Sequence, residues 1–525
     1  ALRQSVRNRA GVLAAAARIP AWQDAAVREL AQDDKSPLYI LSGYATRLDD
    51  IASGQLIDSI DSLTGLAEAI ANRINSAAPA PTDTSNKGSQ ALVEAIAGDL
   101  QNARRPLVVC GSSNGSLALL NAATNVARAL AQSESRTQAI DFACLVPEVN
   151  SIGLALMTPQ GNTLGKALDR MQSAEIESAV IVETDLYRHS EAGNVDSAIE
   201  AVQQLIVLDQ LVTPTTRKAD LVLGCTSFPE QKATYVNYEG RAQLGMQVYI
   251  SGHDCLPAWS WLQGQEKAKF DSLARECESS VEGFQGLCGV LPDKSRYLPG
   301  MKVPRQSHRY SGRTAMNAGL NVHEGKQPQD TESVMAFSME GESALVDSAV
   351  MASSWAPQWN SNQSVSKFQD EVGGELKQGN PGIKLITKNK KAGGYQQLTS
   401  PQKLPEGAFS IVEAFQIFGS DELSNYAEPI QQRLTHSYAA ISPVDATALQ
   451  LQNNDSLELK LNGAATEFPV CIREKVKPGT VVVFNGGPGF LNLSGSTQLQ
   501  RGKSAIAGTG RFDNLIVSDL FEEGD

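Results

Sequence analysis

The sequence predicts an α/β protein built on parallel sheets with helices on both faces, followed by a small closed β domain at the C-terminus. Three observations lead to this. Between Ser36 and about Tyr249, short β-branched runs alternate with Ala- and Leu-rich segments of helical period, the pattern of helices packed on a mostly parallel sheet. Most of the short runs are apolar throughout, as strands covered on both faces are. From about residue 409 the helical period gives way to short strand-like runs between turn signals.

Taken in chain order, the first ten residues are basic and "AGVLAAAARIPAW" follows. Arg18 interrupts the apolar stretch and no Met opens the chain, so the segment reads as a helix stopped before Pro20 in a chain that begins mid-protein. The candidate strands are Leu38 to Leu41, Leu107 to Cys110, Ile140 to Leu145, Ala179 to Glu183, Leu205 to Asp209 and Leu221 to Leu223. Residues 75 to 90, "NSAAPAPTDTSNKGSQ", break the rhythm and read as a linker. Residues 251 to about 400 lack a regular period, which predicts bridging helices and long loops. Near the end, Asn462-Gly463 separates "SLELKL" from "EFPVCI", a strong hairpin signal, and "TVVVFNGGPG" follows Pro478-Gly479. The expected domains are therefore 1–250, 251–405 and 406–525.

The length allows about three domains and a large core without disulfide staples. A formal charge of −13 argues against a nucleic-acid partner, because such affinity rests on Lys and Arg neutralising phosphates. Seven cysteines occur with no C-x-x-C pair; they read as reduced thiols, and the short spacings that iron-sulfur clusters need are absent. No run of about 18 apolar residues is present, so no membrane-spanning helix is expected.

Few motifs survive inspection. "VVCGSSNGSLALL" puts Gly111 and Gly115 between a strand and a helix, where an anion can be held. The G-x3-G spacing is not the dinucleotide fingerprint, and a plain tight turn is the stronger reading. "GNTLGKAL" at 161–168 has three residues, not four, between Gly161 and Gly165, and Ala167 where a phosphate-binding loop needs Ser or Thr. The five histidines are scattered without metal-ligand spacing, and no G-x-S-x-G elbow points to a hydrolase. The most cationic stretch, "PRQSHRYSGRTAM", carries Arg305, His308, Arg309 and Arg313. These fit a pterin phosphate or nucleic acid less well than fork-shaped pairs with carboxylates of this chain or of a neighbouring subunit, which makes them interface candidates.

Two segments resemble the molybdopterin-dependent oxidoreductases. Residues 218–243, "KADLVLGCTSFPEQKATYVNYEGRAQ", look like that family's strand, acidic turn and Asn-x-Glu-Gly-Arg element, here Asn237, Glu239, Gly240 and Arg241. Residues 439–484, opening with Pro443, Asp445 and Ala446 and with Asn454-Asp455 before the first long strand, look like its C-terminal double-psi β-barrel. Further segments, "HRYSGRTAM" at 308–316, "WAPQWNS" at 355–361, "SKFQDEVGG" at 366–374 and "FGSDELS" at 418–424, resemble the G-subunit family of bacterial respiratory NADH:quinone oxidoreductase, complex I.

The resemblance implies Rossmann-like parallel sheets, a terminal double-psi barrel, and a place in the peripheral arm beside other subunits, the flavin-bearing one included, on the cytoplasmic face of the inner membrane. It also implies [4Fe-4S] and [2Fe-2S] clusters in a cysteine-rich front that this sequence lacks. Where the pterin enzymes present a glycine-rich segment with His and Thr, this chain has "FGSDELSNYAEP", and Asp421 and Glu422 repel a phosphate-bearing dinucleotide. The expectation is a scaffold with no catalytic residue, no metal and no cofactor, in which Asn237, Glu239 and Arg241 line a vestigial pterin channel. The rival is a fragment of a bis-molybdopterin oxidoreductase such as formate dehydrogenase or nitrate reductase, in which those residues and the Gly486 to Gly489 turn line a working channel.

Overall fold

The computed structural model describes residues 2–20, 23–81, 89–112, 115–133, 140–158, 161–250, 252–264, 269–291, 382–387, 393–398, 405, 407–416, 418, 421–434, 437–461, 464–485 and 496–502. The chain divides into two units, residues 1–38 with 292–381 and residues 39–291 with 382–525.

In the first unit the described residues form α1 (Leu2–Ser5), α2 (Asn8–Ala16) and α3 (Asp24–Ala31). Helix α2 stops ahead of Pro20 as expected: Arg18 turns to a φ of 55° and Ile19 donates back to the Ala14 carbonyl at 2.8 Å. The left-handed residue ends the helix before proline, which cannot continue it.

The second unit opens with β1 (Tyr39–Ser42) and β2 (Gly54–Ile57), paired in parallel. Then follow α4 (Ile60–Ile74), α5 (Gln90–Asn102), β3 (Leu107–Gly111), α6 (Leu117–Ala131) and β4 (Asp141–Leu145), with β3 and β4 parallel. Ser59 and Ser116 cap α4 and α6 by accepting the Ser62 and Leu119 N–H groups, satisfying donors that a helix start leaves orphaned. Leu63, Leu66, Ala67, Ile70, Ala71 and Ile74 recur at helical spacing on the buried face of α4. All but Leu63 meet Ala122, Val126, Ala129 and Leu130 of α6 and Val93, Ile96 and Ala97 of α5 in one core, onto which Val108 of β3 packs. Alanine on the facing stripes lets the helix axes approach closely.

Next come α7 (Ser151–Met157), α8 (Leu164–Gln172), β5 (Ser178–Val182), α9 (Ala192–Ala201), β6 (Gln204–Asp209) and β7 (Leu221–Gly224). Strands β5, β6 and β7 form a parallel sheet in that order. One face, Ala179, Leu205 and Val207, packs on Leu168, Met171, Val195, Ala198 and Ile199 of α8 and α9. The other, Ile206, Leu208 and Leu223, meets Ala258 and Trp261 of α10 (Ala258–Gln263). Helices thus pack on both faces of this sheet, although Val180, Val182 and Leu221 of the second face stay exposed beside α10. An antiparallel hairpin of β8 (Ala233–Val236) and β9 (Arg241–Gly245) carries β10 (Ile383–Lys384) on its open edge. Helix α11 (Phe270–Ser280) supplies Cys277 to the core beneath it.

The C-terminal sheet has the order β16 (Ser496–Thr497), β11 (Phe409–Phe415), β15 (Thr480–Asn485), β12 (Tyr438–Ile441), β14 (Ala464–Ile472), β13 (Ser456–Leu461), β17 (Leu499–Arg501). Parallel pairs β11·β15 and β12·β14 flank an antiparallel β12·β15 pair. The two edge strands are separated in sequence by Gln498 alone, and the Thr497 hydroxyl donates to the Lys460 carbonyl at 2.9 Å, so the sheet curls into a nearly closed barrel. Alternation along the strands sorts the side chains: Val481 and Val483 point into the barrel core with Ile441, Leu457, Leu459 and Val470, whereas Val482 packs outward with Val412, Ala440, Tyr44 and Ile60. The hairpin predicted around Asn462-Gly463 pairs Leu461 with Ala464. Asp445, 9% exposed, accepts from the Ser442 hydroxyl at 2.7 Å and the Gly479 N–H at 3.0 Å, tying the helix Pro443–Ala448 to the turn before β15.

Candidate functional site

The carboxyl ends of β5, β6 and β7 lie side by side because the strands are parallel, and open α/β sheets bind ligands in the crevice outside such ends. Glu183 follows β5 directly. Its N–H donates to the Leu208 carbonyl at 2.7 Å and its φ is 46°, a left-handed conformation that costs a non-glycine residue on the order of 1 kcal/mol. Two residues on, Asp185 is 3% exposed; it accepts from the Thr215 hydroxyl at 2.7 Å and from the Tyr187 N–H at 3.3 Å. Asp209 ends β6, is 7% exposed, and accepts from the Leu211 N–H at 3.0 Å. From the far end of the chain, Glu422 reaches Arg188 at 3.8 Å, and Tyr426 donates to the Val212 carbonyl at 3.1 Å, which holds the segment against the strand ends.

These groups make an acidic site. Burial, then the Asp209 carboxylate, raises the Glu183 carboxyl above the usual carboxylate range, although Glu183 leaves part of its surface to solvent. Burial also raises Asp209; the Leu211 and Gln210 N–H groups oppose the shift and Asp185 adds to it. Glu422 is raised by burial, with Asp209, Asp185 and Glu148 adding to the shift and Arg188 opposing it. Beside them the Cys225 thiol, 5% exposed, is pushed up to about 12 by burial and by Glu183, Asp209 and Cys255. Each shift resists a further negative charge at these strand ends. A phosphate-bearing pterin would bring such charge, so the residues present here do not fit that group.

Of the residues singled out in the sequence, Glu422 belongs to this acidic group; the others lie elsewhere in the fold or have structural duties. Asn237 begins the tip of the β8–β9 hairpin, and its side-chain oxygen accepts from the Glu239 N–H at 3.0 Å and the Arg241 N–H at 3.1 Å. Gly240 turns with a φ of +70° against Ile386. Glu239 and Arg241 pair at 3.5 Å, and Arg241 also donates to the Gly382 carbonyl at 3.5 Å. Arg305, His308, Arg309 and Arg313 lie outside the described residues, as do the Gly486 to Gly489 turn and the segments at 355–361 and 366–374. Gly111 closes β3 and Gly115 makes a turn with a φ of +63° before the Ser116 cap of α6. Gly165 and Lys166 sit in the first turn of α8, whose cap is Thr163.

Glu183, Asp185, Asp209 and Arg188 were missed by the sequence reading. The signal for Glu183 and Asp209 was an acidic residue at the end of an apolar strand, in "VIVETD" and "IVLDQ", the position from which an α/β sheet presents side chains to a crevice. Among the described residues no three His, Cys, Asp or Glu side chains form a group able to hold a metal ion. No helix among them is long and apolar enough to cross a membrane.

Comparison with known proteins now adds identity to this geometry. Residues 77–263 match the molybdopterin oxidoreductase family. Proteins named as the G subunit of NADH-quinone oxidoreductase align along nearly the whole chain. The one from Pseudomonas putida is 35% identical over 93% of this chain and 55% of its own length. The one from Shewanella oneidensis is 36% identical over 96% of this chain and 57% of its own length, and the one from Escherichia coli is 33% identical over the same shares, 96% and 57%. Among solved structures, acetylene hydratase from Pelobacter acetylenicus aligns with a TM-score of 0.42 at 13% identity, over 89% of this chain and 69% of that one. The chain spans little more than half the length of the curated relatives it matches. Over nearly its full length, then, this chain is homologous to a part of the NADH-quinone oxidoreductase G subunit, and it carries a molybdopterin oxidoreductase domain.

Proposed function

We propose that this chain is the structural, cofactor-free part of the G subunit in a bacterial proton-translocating NADH:quinone oxidoreductase, complex I. The observation that carries the reading is its 33–36% identity to proteins of that name along 93–96% of its length. The acidic strand ends support it, since Glu183, Asp209 and Glu422 leave the crevice hostile to the phosphates of a pterin. No catalytic residue belongs to this part. Electron transfer is the work of the whole complex, through iron-sulfur clusters of the [4Fe-4S] and [2Fe-2S] types in the portion of the G subunit that this chain does not span.

In this reading the chain is a rigid acidic body of the peripheral arm, on the cytoplasmic face of the inner membrane. It packs against the cluster-bearing portion and against neighbouring subunits, the flavin-bearing one among them. Arg305, His308, Arg309 and Arg313 are its proposed contacts with the carboxylates of those neighbours. Asn237, Glu239 and Arg241 line the vestige of the pterin channel.

Elemental analysis of the full-length protein is the test. Iron without molybdenum or tungsten is expected; stoichiometric molybdenum or tungsten would overturn the reading in favour of a bis-molybdopterin oxidoreductase. Deleting the residues after about 400 in the full-length protein is expected to block assembly of the peripheral arm. Normal assembly with normal NADH:quinone activity would contradict the scaffold role.

A further inference from the structure

The register of the first parallel sheet sets Cys110 of β3 directly opposite Cys144 of β4. Directly paired residues of a parallel ladder project from the same face, and neighbouring strands lie about 4.8 Å apart. That separation is inside the roughly 4.4–6.8 Å between Cα atoms that a disulfide spans. The backbone holds this register on both sides of the pair: Asp141 donates to the Pro106 carbonyl at 3.2 Å and Ser112 to the Leu145 carbonyl at 3.0 Å. Both cysteines are free and partly exposed. Their sulfurs are close enough for Cys144 to raise the Cys110 thiol, behind the larger effect of burial.

The other cysteine neighbours, Cys225 and Cys255, lack this arrangement. The bridge there pairs Cys225 with Leu256, and Cys255 stands against Gly224, its sulfur 3.1 Å from where a Cβ would be. Cys225 and Cys255 are thus one register step apart, and successive positions face opposite sides of a sheet.

We propose that Cys110 and Cys144 are a modification site, a thiol pair that forms a reversible disulfide across β3 and β4 by exchange with a low-molecular-weight disulfide. The thiolate of one cysteine attacks a sulfur of the small disulfide, whose S–S bond breaks and releases one small thiolate. The thiolate of the second cysteine attacks the mixed disulfide and displaces the other. Two protein thiols are oxidised to one disulfide, the small disulfide is reduced to two thiols, and the two cysteine protons pass through water to the released thiolates. The bond closes the chain segment that carries α6, the helix at the centre of the adjoining core, and a cross-link of that kind stabilises by restricting the unfolded chain. Because burial raises the Cys110 thiol, exchange at this site accelerates as pH rises.

The test is to incubate the full chain with oxidised glutathione at pH 8.5, trap it in acid, and read the peptides by mass spectrometry with the melting temperature in parallel. A peptide pair joined through Cys110 and Cys144, a rise in Tm of about 5 °C, reversal by a reductant, and loss of the cross-link in both Cys110→Ser and Cys144→Ser are expected. Recovery of the two cysteines as free thiols or as separate glutathione adducts, or Cys110 joined to any other cysteine, would overturn the proposal.

Discussion

The ammonium of Lys477, just before β15 of the barrel, sits on the carboxylate of Asp58, just after β2, whose side chain is 5% exposed. With Tyr44 and Ile60 packed on the outer face of the barrel, this pair is one of the ties between the barrel and the first parallel strands. Asp58 also accepts from the Ser59 N–H at 2.6 Å, at the start of α4. Lys477→Met leaves the buried carboxylate with that partner but without its cation, and Lys477 itself is 44% exposed, so a loss of about 1–2 kcal/mol is expected. Urea denaturation of the variant measures it, and a midpoint equal to that of the parent chain would show the pair to be idle.

Asp209 makes the stability of the strand-end site depend on pH. Burial raises its carboxyl, so the fold prefers the protonated form. The stability it contributes is fully present below the unfolded carboxyl value of about 4 and is lost as pH rises through the higher folded value. Asp209→Asn keeps an oxygen for the Leu211 N–H and removes that loss. The variant is expected to be more stable than the parent at pH 7.5, with the difference shrinking as pH falls to 4; thermal melts at both values test this, and a less stable variant at pH 7.5 would refute it.

At the β8–β9 tip the backbone sets the order of effects. Asn237→Ala strips one acceptor from two N–H groups and is expected to cost about 1–2 kcal/mol. Gly240→Ala adds a Cβ at a φ of +70°, where it would lie 2.4 Å from the Cβ of Ile386, so about 3 kcal/mol is expected. Glu239→Gln, at an exposed ion pair, is expected to change little. Equal losses in all three by chemical denaturation would contradict the turn's role.

Asn125 of α6 is 1% exposed and clasps the backbone of Gln396 twice, accepting from its N–H at 2.8 Å and donating to its carbonyl at 3.0 Å. Asn125→Ala leaves both backbone groups without that partner, at a cost of about 2–3 kcal/mol. Hydrogen exchange is the discriminating readout. Faster exchange at Gln396 with the core of α4 unchanged is expected, and unchanged exchange at Gln396 would count against the clasp.

Much of the architecture was legible in the sequence because it is locally encoded. The strands β3 through β7 announce themselves as apolar runs between helical segments, even though Leu107, Val109, Val180 and Leu221 are left exposed among the described residues. The barrel hairpin is visible in Asn462-Gly463 for the same local reason, the turn chemistry of its two central residues. β2 was not legible: "GQLI" is too short and too polar to stand out, and only its pairing with β1 makes it a strand.

The chemistry of the strand ends was decided by tertiary structure alone. Glu183 and Asp209 look like ordinary surface carboxylates in a chain of net charge −13, and Glu422, flagged in the sequence for its charge, gives no sign there of which strands it meets. Parallel pairing of β5 with β6 brings the first two together, and the contact of Tyr426 with Val212 brings the third from more than two hundred residues away. Composition and turn signals act over a few residues and so survive in the linear order. Burial, and the pKa shifts it causes, depend on which distant segments meet, and no local pattern records that.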